Sequence, residues 1–134
     1  MRSAIRILER KETDRPFCLF LAMSDPHPPY SAPADFHRLY APADVPAPLP
    51  RTLPKRPDFH QAIREAYRLQ NLPESTLREI KAVYYGQVSY ADWVLGELLE
   101  AIDRTNHAND TAVFCLSEHG DYTGGPKIVT DETK

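Results

Sequence analysis

The chain has 134 residues, with 16 Lys+Arg against 19 Asp+Glu and a formal net charge of -3, which is room for one domain rather than two. Hydrophobic residues at 42% and charged residues at 26% are globular proportions and argue against wholesale disorder. The mild acidity argues against a nucleic-acid protein, which needs a concentrated basic face, and no run approaches the ~20 apolar residues that span a bilayer.

Residues 1–11, MRSAIRILERK, start basic but lack the apolar core of ~7–15 residues that a signal peptide needs. Ile5 and Leu8 predict the end of an amphipathic helix over about 2–11. Residues 16–23, PFCLFLAM, are a continuous apolar run closed by Ser24, Asp25 and Pro26, the pattern of a strand buried on both faces. From 26 to 57 the chain holds ten of its 13 prolines, which predicts an extended excursion without a long helix or central strand. Residues 58–71 offer a helix. A longer one is expected over 76–104, with Thr76 and Glu79 as a capping box. Its apolar residues recur at Leu77, Ile80, Tyr84, Val88, Ala91, Leu95, Leu98, Leu99 and Ile102, which is helical spacing. The polar run RTNHAND ends it. Residues 111–116, TAVFCL, are a second candidate for a buried strand and lead into Ser117, Glu118, His119, Gly120 and Asp121. Cys18 and Cys115 cannot form a disulfide scaffold, and both lie in these apolar runs, so buried thiols are expected. The two ends of the chain suit a segment of a longer protein.

The order of strand, long loop, helices and strand predicts an α/β fold with mainly parallel strands. In open α/β sheets, ligands collect beyond the carboxyl ends of strands. The two polar clusters lie there: Ser24, Asp25, Pro26 and His27 after the first run, Ser117 to Asp121 after the second. Glu118 and His119 are of the types that ligate a divalent metal, provided the chain turns between them, because neighbours on a strand point to opposite faces. His27 sits between prolines, preorganised to bind an oxyanion or move a proton; a turn histidine is the plainer alternative. Asp25 before Pro26 reads as a turn former, Tyr84 as a core or interface residue, and His37, His60 and His107 receive no role.

Three blocks, PFCLFLAMSDPHPPY, YYGQVSYADWVLGELLEAI and NDTAVFCLSEHGDYTG, together resemble the central segment of the type I sulfatases, in the alkaline phosphatase-like superfamily. The resemblance covers about 16–124. It implies a mixed β-sheet between helices, of which this chain would supply part, and hydrolysis of sulfate esters by a formylglycine nucleophile with a calcium or magnesium ion. By the same resemblance, His27 contacts the sulfate or assists the leaving group, Glu118 and His119 are metal-site residues, and Lys127 or Lys134 contacts substrate. The sequence departs from the family in four places. The formylglycine motif Cys/Ser-x-Pro/Ala-x-Arg is absent, as is the Asp-Asp metal pair. Glu118 stands where the family has Asp, a change in reach of about 1.5 Å. Neither lysine is in clean register. The upstream part of a catalytic domain, carrying the nucleophile, is therefore expected to be required. The alternatives are a non-catalytic sulfatase-like remnant, or a fragment of a related phosphoester or phosphonate hydrolase. The segment alone is expected to expose apolar surface and to be poorly soluble.

Overall fold

The computed structural model describes residues 2–10, 15–47, 62, 65–66, 72–105 and 107–121. Its described elements are three helices: α1 (Arg2–Glu9), α2 (Ala34–His37) and α3 (Glu74–Arg104). The helix expected over 58–71 lies almost wholly outside the described residues. No described helix is long and apolar enough to cross a membrane.

The 31-residue α3 is the spine. It begins earlier than the Thr76 cap would place it. Pro73, at φ -58° and ψ 149°, is the N-cap, and its carbonyl accepts the Leu77 N–H at 3.2 Å. Proline is tolerated at this position because no intrahelical bond needs its N–H, and its ψ of 149° is the non-helical geometry an N-cap takes. No side chain caps this end, so the expected capping box does not form. Glu74 in the first turn meets Arg78 at 2.9 Å instead. At the other end the Thr105 hydroxyl donates to Ala101 O at 2.8 Å, a carbonyl that also accepts the Thr105 N–H at 3.1 Å.

Two elements pack on this spine. Ala4 and Leu8 of α1 are buried, as are Val94 and Ala101 of α3, and Glu9 reaches Arg104 across the pair at 3.9 Å. Part of the proline-rich excursion runs back along α3 as a strap. Phe36 of α2 meets Tyr90 and Trp93, with centroids 5.3 and 5.9 Å away. Tyr40 shares a 2.9 Å hydrogen bond with Ser89. Further along, Arg78 and Lys81 donate to the carbonyls of Val45 and Pro46, each at 3.0 Å. Gly86 permits this approach, since a Cβ there would overlap the Phe36 carbonyl oxygen.

The α/β expectation fails: among the described residues there is no strand. Residues 16–24 and 111–117 form neither helix nor strand, and no described backbone ladder joins them. Ring contacts from Phe17 to His107 and from His27 to His119 show that they run in the same sense. An apolar run states which residues seek burial. A strand exists only when its N–H and C=O groups pair with a neighbour, and the described residues offer these two stretches none. Phe20, Phe114 and Leu116 are 88%, 84% and 89% exposed. Cys18 and Cys115, expected to be buried, are exposed for the same reason.

Candidate functional site

The middle of α3 forms the floor of the site. Tyr84 and Gln87 are three residues apart and share a helix face. Gln87 is 1% exposed, and its Nε2 lies 3.5 Å from both Asp25 Oδ1 and the His27 carbonyl. Two acceptors on one side require the NH2 end of the amide to face them. Gln87 Oε1 is then buried without a hydrogen-bond partner among the described residues.

The first polar turn is closed by the His27 N–H donating to Ser24 O at 2.8 Å. The Asp25–Pro26 and Pro28–Pro29 peptides are cis. His27 Nδ1 faces the Pro28 carbonyl, which can only accept, so Nδ1 carries the proton and Nε2 the lone pair of the neutral ring. In the second turn, the Ser117 hydroxyl donates to His119 O at 2.7 Å and His119 Nδ1 donates to Gly120 O at 3.0 Å. The chain bends at Glu118. Neighbouring side chains that a strand would send to opposite faces therefore meet, with Glu118 Oε1 3.5 Å from His119 Nε2.

Tyr30 joins the two turns. Its hydroxyl donates to the Asp121 carboxylate, 3.1 Å from each oxygen. Its ring meets that of Tyr84 edge-on, with centroids 6.3 Å apart. Burial pushes the Tyr84 phenol above its usual pKa, and the negative charge of Asp121 and the neighbouring Tyr85 push it further. Across this link the rings of His27 and His119 stand 6.4 Å apart at 69°. Residues 92 positions apart are thus brought to one place.

Glu118 lies at the rim, its side chain 84% exposed. Lys127 and Lys134 lie outside the described residues. Calcium takes about six to eight oxygen ligands, and magnesium demands near-octahedral geometry. Among the described residues no group of three or more His, Cys, Asp or Glu could hold a metal ion. Glu118 and His119 therefore do not make a calcium or magnesium site by themselves. Sequence reasoning gave no role to Tyr30, Asp121 or Gln87, although Asp121 closes the second polar cluster. Gln87 left a signal too: it is a polar residue three positions after Tyr84, inside the apolar stripe of α3.

The Sulfatase family profile matches residues 1–134. The chain belongs to the sulfatase family. A choline-sulfatase of Rhizobium meliloti is 32% identical over 117 residues, which cover 84% of this chain and 23% of the relative. An iduronate 2-sulfatase of Homo sapiens is 33% identical over 133 residues, covering 87% and 24%. An arylsulfatase of Clostridium perfringens is 26% identical over 125 residues, covering 92% and 26%. The chain spans about a quarter of the length of these sulfatases. No solved structure matches it.

Proposed function

We propose that this chain is the segment of a sulfatase that meets the sulfate ester with His27, beside Glu118 and His119. The observation that supports this most is the pairing of the His27 and His119 rings at 6.4 Å, on turns tied by Tyr30 and Asp121. The relatives are named for choline, aryl and iduronate compounds, so the sulfate group is what their substrates share.

Breaking the ester's S–O bond leaves negative charge on the departing oxygen. A proton given to that oxygen lowers the barrier. His27 Nδ1 is turned to the Pro28 carbonyl, so the proton given to the leaving group is the Nε2 proton of the imidazolium form, and the ring is left neutral with a lone pair on Nε2. Lys127 or Lys134 supplies positive charge to a sulfate oxygen. The chain contains no Cys/Ser-x-Pro/Ala-x-Arg sequence, so the nucleophile comes from the remainder of the enzyme. Glu118 and His119 would be two donors toward the calcium or magnesium ion of the family, and by themselves they fall short of a site.

The test is a titration of the chain with an aryl sulfate, followed by the imidazole NMR signals. The His27 and His119 signals should shift together and saturate, and His27→Ala should abolish the His119 shift. A silent pair of rings, or a His119 shift untouched by His27→Ala, overturns the reading. The isolated chain should not turn the ester over; turnover lost in His27→Ala would place the nucleophile within these residues instead. A parallel titration with an aryl phosphate reads the preference for sulfate.

A further inference from the structure

Gln87 is the largest fully buried side chain among the described residues, and it is polar. Its Oε1 is buried without a partner among them, which costs stability. A methionine would fill nearly the same volume with no orphaned oxygen, so packing alone does not favour glutamine here. What glutamine provides is on its other end. Nε2 faces Asp25 Oδ1 and the His27 carbonyl, each at 3.5 Å. Both contacts are long, but they fall on either side of Pro26 and so bracket the turn that carries His27. The hydrogen bonds from His27 N–H to Ser24 O and from His27 Nδ1 to Pro28 O are local to the turn and do not fix where it sits on α3.

We propose that Gln87 is the positioning residue of the His27 turn: its amide holds the turn against the middle of α3 and so sets where the His27 ring meets His119. Its relevance to catalysis rests on the role proposed for His27; the positioning itself does not.

Gln87→Met separates positioning from packing, because the two predict opposite signs. If Gln87 positions the turn, the variant keeps or raises the thermal midpoint, since the orphaned oxygen is gone. At the same time the His27 turn loosens. The His27 amide should then exchange with deuterated solvent about tenfold faster relative to amides in mid-α3. The nuclear Overhauser contact between the His27 and His119 rings should weaken in step. Gln87→Asn keeps the donor on a shorter stem and should recover part of both signals. Unchanged His27 exchange and ring contact in Gln87→Met overturns the proposal. So does a lowered midpoint, or failure to fold, because that is the signature of packing. If the wild-type rings ignore an aryl sulfate while Gln87→Met loosens the turn, the sulfatase reading falls and the positioning role stands.

Discussion

At the scale of single residues, the site depends on contacts between residues far apart in the chain. Tyr30 and Asp121 are 91 positions apart, and nothing in the sequence around either reveals that they meet. A hydrogen bond to a charged group is worth about 1.5–3 kcal/mol, and partial exposure brings this one toward the lower end. Tyr30→Phe should therefore cost about 1–2 kcal/mol in urea unfolding, and weaken the contact between the His27 and His119 rings. Tyr84 gives a pH test. Its folded pKa is raised above 10.0, by burial first and by Asp121 second, so the folded state holds the phenolic proton longer than the unfolded state does. Tyr84 is neutral in both states below that value and leaves stability unchanged there. As pH rises past 10.0 the unfolded phenol ionises first, and stability falls. Tyr84→Phe should flatten that alkaline fall and leave neutral pH untouched, as read from thermal midpoints across the two ranges. His27, Glu118 and His119 stand out in the sequence by residue type and neighbours, which offers them as candidates and leaves their roles to the proposal. Tyr84 does not stand out, since a tyrosine on a helix face reads equally well as core.

At the scale of elements, α3 was legible because a 3.6-residue apolar period over many turns has few other readings. Its start was not. A Thr-x-x-Glu sequence and a proline both mark helix starts, and here the proline prevailed. The strap from Phe36 to Pro46 was hidden for another reason: prolines state that a chain is extended, not what it lies against. Gly86 is where the strap and the helix come closest. On helix propensity alone, Gly86→Ala should gain about 0.8–1.0 kcal/mol. The new methyl would overlap the Phe36 carbonyl, and overpacking of that kind costs about 1–3 kcal/mol. The clash should win, giving a net loss of stability and displacing α2. Trp93, the chain's one tryptophan, lies 5.9 Å from Phe36 and reports the outcome through its fluorescence. A blue-shifted or unchanged spectrum with a raised midpoint would show that the strap yields without cost.

At the scale of the whole molecule, the runs at 16–23 and 111–116 are apolar, as a buried strand would be, but neither is a strand among the described residues. Sequence pattern encodes the demand for burial, while the hydrogen-bonding neighbour that turns an extended stretch into a strand lies elsewhere. The demand remains visible. Burying a Phe or Leu side chain is worth about 1.5–3 kcal/mol, and Phe20, Phe114 and Leu116 leave nearly all of it unrealised. Apolar surface held this open should drive association of the chain with itself. The buried residues lie elsewhere, in α1, α3 and at Val45, so the two demands are separable. Replacing Phe20, Phe114 and Leu116 together by Ser should raise the concentration at which the chain stays monomeric, measured by light scattering. The helical unfolding transition should keep its midpoint, because none of the three side chains packs into the buried set. A midpoint that falls with the substitutions would mean that these stretches support α3, and that their exposure is not the origin of self-association.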